Sequence, residues 1–367
     1  MAYSIDNLLK IYEQLELDLI KQMTLHIKSM ELDGMRKSDI ERWKKSQESQ
    51  IAKFRRESRL IITRYKKVIN EETEKTLKEM YVASKQKEYK RLLRNYGKSE
   101  KFKKALSGID ISDLQGLNER RIVALLNAVK NDTDRAITSV YRFVNDEYRE
   151  IIHNAAIEFN TGNKTLWESV AVAENDFLKN GITSIVYASG AHVNIRSYAE
   201  MALRTNGQRA IIEGEAMLRD YLGIYTIKVS SHGITCPACA RWQGMVLIDD
   251  VYQKGESDGK HQLLSAAIND GLLHPNCRHS LITIDPEIDG DSEPIVYTAK
   301  DAEKYKMQQK QRRLEREMRE LKRYEAGATT SAEKRKYGKL IARKENQIDA
   351  FIDENDYLVR QLDREEI

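Results

Sequence analysis

Apolar residues recur at helical spacing near the start of the chain. The apolar positions are Ile5, Leu8, Leu9, Tyr12, Leu15, Leu19, Met23 and Met30. This spacing places them on one stripe of an α-helix, which a folded protein buries against a neighbouring element. The pattern therefore predicts an amphipathic first helix, which ends where the polar segment ELDGMRKSDIE begins.

A much longer helix is predicted to follow. Ser38 and Glu41 have capping-box spacing, in which a hydroxyl and a carboxylate each satisfy a free backbone N–H at a helix start. No proline occurs before Pro237, so no residue of this type interrupts a helix from about Asp39 to Tyr96.

A third helical region is predicted between Ile111 and Asn160, with Ser112 and Asp113 as candidate caps. Its apolar positions are Ile122, Leu125, Leu126, Val129, Ile137, Val140, Phe143 and Val144. After residue 164 the sequence pattern changes and predicts shorter helices that are separated by turns containing glycine. The segments YTIKVSS, MVLI and SLITI are then strand candidates, and a short helix is predicted near Leu263 to Ile268.

The sequence turns helical again after Pro294. One helix is predicted from Lys300 to about Glu325, and GATTSAEK is predicted to break it and cap a new one. A seven-residue repeat follows at Ile341, Lys344, Ile348, Phe351, Asn355, Leu358 and Leu362. The repeat predicts a helical hairpin or a short coiled coil, which packs either on this chain or on another copy.

These patterns predict an α+β fold that is predominantly helical. We expect four segments: a helical N-terminal arm (1–108), a helical region (109–164), a small α/β core with a metal site (165–294) and a C-terminal helical extension (295–367). The core is expected to contain short strands held together by zinc.

Charge is nearly balanced, with 61 Lys and Arg against 57 Asp and Glu, which excludes a polycation that coats nucleic acid. The sequence contains no apolar run long enough to span a membrane and no signal-peptide pattern. Three cysteines, an odd number in a long chain, make no disulfide framework. We therefore expect folding in a reducing cytoplasm.

The most basic stretch of the chain covers residues 85–104, where nine Lys or Arg stand against Glu88 and Glu100. A solvated helix face is one interpretation of such a stretch. Contact with DNA phosphates is the other. The candidate DNA-binding residues are Lys85, Lys87, Lys90, Arg91, Arg94, Lys101, Lys103 and Lys104.

All three cysteines lie close to four histidines between Ser231 and Ser280. Cys236 and Cys239 have the two-residue gap that lets two thiolates approach one metal ion, and Cys277 and His279 supply a second pair. The four form a Cys₃His set, which predicts a closed, structural zinc site. On spacing alone the reserve ligands are His274 and then His232.

Cysteines and histidines at such spacings also occur in other kinds of site. A redox Cys-x-x-Cys motif and an HNH-type nuclease remain open, whereas a zinc deaminase is excluded because the chain has no His-x-Glu sequence. The common catalytic motifs, such as a phosphate-binding glycine loop, are absent from the sequence. A closed metal site without a partner base predicts a protein that is not an enzyme.

The ordered blocks NIRSYAEMALRT, EGEAMLRDYLGIYTIKVSSHG, CPACARWQGMV and GLLHPNCRHSLITI, within about residues 165–290, resemble the phage minor capsid protein 2 family, which is similar to the Mu F-like head proteins. The resemblance implies a virion component of a tailed-phage head. It would associate with the portal and other head proteins and act in head assembly and in DNA packaging or ejection. The basic stretch at residues 85–104 is then the candidate contact with packaged double-stranded DNA. The helical arms would allow oligomers.

The resemblance also bears on individual residues. It supports His279 as a ligand and moves His232 ahead of His274, so that His232, Cys239, Cys277 and His279 form an alternative set. The matched positions of NIRSYAEMALRT are carried over as residues of the core domain, not as catalytic residues: Arg196, Tyr198, Arg204 and Thr205. Trp242 is expected to cover the metal site, and Gly244 to supply a positive φ in the turn that follows.

Overall fold

The computed structural model describes residues 5–28, 39–109, 119–161, 166–187, 189–328 and 330–366. Long helices dominate these residues, and a few short strands form small sheets. The predicted fold class, predominantly helical α+β, is confirmed. The expected caps at Ser38, Ser112 and Asp113 lie outside the described residues.

The described helices include those predicted from apolar spacing, and the apolar stripe of the first helix is buried. They are α1 (Asp6–Lys28), α2 (Ile40–Tyr96), α3 (Glu100–Ser107), α4 (Glu119–Thr161), α5 (Leu166–Asn180), α6 (Ile195–Leu222), α7 (Pro237–Ala240), α8 (Leu264–Asn269), α9 (Pro286–Asp289), α10 (Ala299–Gly327) and α11 (Ser331–Asp353).

Six short strands form two sheets in the described residues. They are β1 (Ile185–Val186), β2 (His192–Val193), β3 (Thr226–Val229), β4 (Val246–Ile248), β5 (Gln262–Leu263) and β6 (Leu281–Thr283). β1 and β2 pair antiparallel, and the larger sheet has the order β5-β4-β3-β6. β3 is antiparallel to β4 and β6, with Lys228 opposite both Val246 and Ile282, whereas β5 is parallel to β4. The three strand candidates YTIKVSS, MVLI and SLITI are confirmed as β3, β4 and β6.

The chain divides into two compact units. The first unit contains residues 72–131 and 201–308 with Ile5, and the second contains residues 6–71, 132–200 and 309–367. The four segments expected from the sequence stay a prediction. Within the described residues, no helix is both long enough and apolar enough to span a membrane.

The core of the first unit surrounds the larger sheet. Buried apolar residues of the strands and of the neighbouring helices and loops pack together: Ile212, Ile227, Val229, Trp242, Leu247, Leu264, Ala267, Leu272 and Leu281. Cys239 and Cys277 belong to the same cluster. Cys239 and Cys277 therefore lie inside the hydrophobic core, whereas Cys236 is partly buried against it.

Glycine allows a close helix contact elsewhere in the first unit. A Cβ on Gly214 of α6 would overlap the Ser84 hydroxyl and lie 2.6 Å from the Tyr81 carbonyl oxygen, both on α2. The Lys85 side chain runs along this contact: its Cγ would lie 3.3 Å from that Cβ, and its Nζ lies 4.4 Å from the centre of the Tyr81 ring. Lys85 is consequently fully buried.

The second unit has a polar network among its buried residues. Arg196, which is fully buried, donates from Nε to Glu13 (3.1 Å) and from Nη1 to Glu200 (3.0 Å). Each of these charges therefore has an opposite charge within hydrogen-bond distance, as burial requires. The expected role of Arg196, a residue of the core domain and not a catalytic one, stays a prediction.

The C-terminal helices α10 and α11 form an antiparallel hairpin. Glu317 and Lys344 form an ion pair (2.8 Å), and the rings of Tyr324 and Tyr337 stack with their centres 5.1 Å apart. Thr330 and Glu333 complete a capping box at the start of α11, as the break in GATTSAEK predicted. α11 ends at Asp353, so the last positions of the heptad pattern, Asn355, Leu358 and Leu362, lie beyond it.

Candidate metal centre

The first half of the cysteine and histidine cluster lies on a tight turn between β3 and β4. Cys236 is the N-cap of α7, Pro237 takes the first helical position, and the N–H of Cys239 donates to the Cys236 carbonyl (3.2 Å). The chain then turns at Gly244, whose φ of 78° confirms the positive φ expected there. Both thiols thus come from one turn of helix.

The second half lies on the loop that leads into β6. Cys277 N–H donates to the His274 carbonyl (2.9 Å), and Asn276 adopts a left-handed φ of 69°. α6 holds this loop in place: Arg204 donates to the Asn276 amide oxygen (2.8 Å), and Thr205 Oγ1 accepts from the Asn276 N–H (3.2 Å). Sequence reasoning placed Arg204 and Thr205 in the core but missed this supporting role.

The two halves bring five donor side chains together. Cys236, Cys239 and His274 form one triple and Cys239, Cys277 and His279 another, and within each triple all the donor atoms lie within 4.8 Å of one another. Three distances are closer still. The Sγ atoms of Cys239 and Cys277 are 3.7 Å apart, His274 Nε2 is 3.0 Å from Cys236 Sγ, and His279 Nδ1 is 3.3 Å from Cys277 Sγ.

Both histidines of these triples are held by their outer nitrogens. His274 donates from Nδ1 to the Pro275 carbonyl (2.7 Å), and His279 Nε2 lies 3.4 Å from the Gln243 amide oxygen and 3.3 Å from the Thr235 hydroxyl. A ring nitrogen that donates to an oxygen fixes the tautomer and leaves the other nitrogen with a free lone pair. In both rings that free nitrogen faces a cysteine sulfur.

Electrostatics in the cluster favour thiolates. The hydrogen bond between Cys236 and Cys239 lowers the pKa of Cys236 to about 3, and His274 contributes to this lowering. Cys239 and then His279 lower the pKa of Cys277 to about 4. The sulfurs of Cys236 and Cys277, together with burial, raise the pKa of Cys239. The pair of negative sulfurs is what a metal cation would neutralise.

The donor set fits a metal ion. Thiolate and imidazole are the ligands that zinc takes in structural sites, where Zn–S bonds of about 2.3 Å give tetrahedral S–S edges of about 3.8 Å. The separation of 3.7 Å between Cys239 and Cys277 matches such an edge. The cluster can therefore hold a metal ion, with Cys239 in the position common to both triples.

His232, the reserve ligand that the resemblance favoured, lies beside the second triple. Its ring centre is 4.4 Å from that of His279, and its Nε2 is buried without a hydrogen-bond partner in the described part of the chain. The resemblance ranked His274 below His232 as a reserve ligand. In the structure, however, it is His274 that contacts the Cys236 sulfur, through its Nε2. The sequence signal that marked His274 as a candidate ligand was its position three residues before Cys277.

Trp242 occupies the turn next to the cluster, as expected. It is 5% exposed and packs in the same core as Cys239 and Cys277. Its indole N–H donates to Asp270 (3.1 Å), which also forms an ion pair with Arg241. The indole therefore belongs to the hydrophobic core that contains these two sulfurs, while its N–H stays hydrogen-bonded.

The candidate DNA-binding residues do not all lie on an exposed surface. Lys85 is buried, and Arg91 is half-buried, binding Glu88 and the Thr283 carbonyl (3.1 Å). Lys101 is exposed but paired with Asp285 (2.9 Å) and Glu287 (2.8 Å). The remaining five candidates are exposed: Lys87, Lys90, Arg94, Lys103 and Lys104.

Comparison with known proteins identifies the family. The chain is similar over 232 residues, at 25% identity, to a protein of Lactococcus phage LL-H described as a structural protein. The match covers 59% of this chain and 61% of that relative, less than two thirds of its length. No solved structure matches. The profile described as phage minor capsid protein 2 matches residues 1–353, and the chain therefore belongs to that family.

Proposed function

We propose that this chain is a structural minor capsid protein of a tailed phage, associated with the portal and acting in head assembly and in DNA packaging or ejection. The observation that carries the proposal is the family match over residues 1–353. The likeness to a phage structural protein supports it. In this role the chain would fold in the host cytoplasm during assembly and remain in the virion with other head proteins.

The metal centre gives the first unit a structural device suited to such a role. We propose that it holds zinc through Cys236, Cys239, Cys277 and His279, with His232 as the alternative to Cys236. Cys239, Cys277 and His279 are at most 6% exposed. The zinc proposed here stabilises the fold and takes no part in catalysis, so the proposed protein is not an enzyme.

The proposal predicts where the chain is found and what it touches. Purified virions should contain it in fewer copies than the major head protein, and cross-linking of intact heads should join it to the portal. Particles assembled without the chain should be defective in packaging or ejecting DNA. Absence of the chain from purified virions, or normal infectious particles formed without it, would contradict the proposal.

Contact with packaged DNA is a second candidate function, favoured by exposed basic residues that share one stretch of α2 and α3. Lys103 and Lys104 are exposed, and Lys103 forms an ion pair with Glu100, which is also exposed (3.3 Å). Each phosphate contact contributes about 0.9 to the slope of log affinity against log salt concentration. Reversing both charges should therefore reduce the slope by about 2 in a gel-shift titration.

The matched control reverses Lys334 and Arg335, which are exposed on α11. It makes the same change in net charge away from the basic stretch, so the slope should stay at the wild-type value. An equal loss in both variants would show that net charge alone drives binding. The same preparation should leave plasmid DNA intact with added Mg²⁺, whereas cleavage would favour the nuclease alternative.

A further inference from the structure

More donors converge in the metal centre than one ion can use. A structural zinc ion takes four ligands in tetrahedral geometry, which requires four donor atoms that are all close to one another. Among the described residues no four donors meet this condition within 4.8 Å, whereas two triples do. Cys236, Cys239 and His274 form the first triple, and Cys239, Cys277 and His279 form the second.

We infer that the centre holds two adjacent metal ions bridged by the Cys239 thiolate. This inference rests on the proposed metal binding, and it replaces the single set of four ligands with two positions of three ligands each. A thiolate sulfur has more than one lone pair and can bond two cations at once. Cys239 is the residue common to both triples, and it is fully buried between the sulfurs of Cys236 and Cys277.

The orientation of the histidines supports two positions. If one histidine were spare, its ring would be free to turn away from the sulfurs. Instead each ring is fixed by its outer nitrogen, His274 by the Pro275 carbonyl (2.7 Å) and His279 by Gln243 and Thr235. Each inner nitrogen lies within 3.3 Å of a different cysteine sulfur, so both rings are set as ligands.

The two positions differ in their access to solvent. Cys277 and His279 are buried, and His232 offers a buried, unpartnered Nε2 beside His279, within the described residues. Cys236 and His274 are only half-buried, so the outer position has three protein ligands and one place open to water. The outer ion should therefore exchange faster than the inner one.

The test is the number of zinc ions in the native chain. The protein is saturated with zinc, freed of unbound metal, and measured for metal and protein by mass spectrometry and amino-acid analysis. Wild type should hold two equivalents and release one of them first to a chelator. His274→Ala removes a half-exposed ligand without disturbing the core and should hold one, whereas Cys239→Ser should hold none. His192→Ala, an exposed histidine on β2, should hold two.

Each other result has a definite meaning. One equivalent in wild type would overturn the two-ion centre while leaving a single structural zinc intact. No bound zinc would overturn both the two-ion centre and the metal-stabilised core. Two equivalents retained in His274→Ala would overturn the assignment of the outer position. The presence of the chain in virions is measured separately, so failure here does not decide its role in the head.

Discussion

Cys239→Ser is expected to abolish metal binding and to lower the free energy of unfolding of the first unit by about 3 kcal/mol or more. Cys239 belongs to both ligand triples, is fully buried and lies in the hydrophobic core around the larger sheet. Metal bound only by the folded state contributes its binding energy to folding. Urea denaturation with and without a chelator, together with zinc analysis, measures both effects.

The control separates loss of metal from damage to the core. Val229→Thr places a hydroxyl in the same apolar cluster without removing a ligand. It should lower stability but keep the bound metal, so a chelator should destabilise it further. The chelator should have no effect on Cys239→Ser, which has no metal left to lose. A wild-type protein whose stability does not change when its metal is removed would contradict the prediction.

Asp249→Ala is expected to lower the free energy of unfolding by about 3–5 kcal/mol, the cost of leaving a buried charge without its partner. Arg219 and Asp249 form an ion pair of 2.8 Å in which both side chains are fully buried. Asp249 also accepts from the backbone N–H of Tyr252 (2.8 Å), and the Gln253 side chain accepts from Arg219 (3.0 Å). Removing the carboxylate therefore leaves several buried donors unsatisfied.

Two further variants serve as controls for Asp249→Ala, and urea denaturation measures the stability of all three. Glu74→Ala removes an exposed partner of Lys78 on α2, an ion pair of 2.7 Å, and should change stability by less than about 1 kcal/mol. Replacing Arg219 and Asp249 together with Met and Leu should cost much less than Asp249→Ala, because no unpaired charge remains. Equal losses in Asp249→Ala and the double variant would show that packing, not the unpaired charge, sets the cost.

The helices were predictable because their signals are local. Apolar spacing placed α1 and α2 within a few residues of their observed ends, and the polar break before Ser331 marked the start of α11. The end of α11 was not predictable in this way. The heptad pattern continues past Asp353, but the chain leaves the helix there, and Leu358 is buried outside it.

The exposure of charged residues could not be predicted from charge alone. Lys85 stands in the most basic stretch, yet it is buried because Gly214 brings α6 so close to α2. Lys101 is neutralised by Asp285 and Glu287, which are remote in sequence. Only the contacts between distant segments reveal which basic residues remain available to a phosphate.

The sequence by itself determined which residues are candidate metal ligands, because ligand chemistry and ligand spacing are local properties: two close cysteines, then histidines beside a third. The tertiary structure decided which of these donor side chains lie next to one another. It placed His274 against Cys236 and His279 against Cys277, with Cys239 between the two pairs. Distances between side chains on different loops depend on how β3, β4, β6 and α6 pack, and no local pattern encodes that packing.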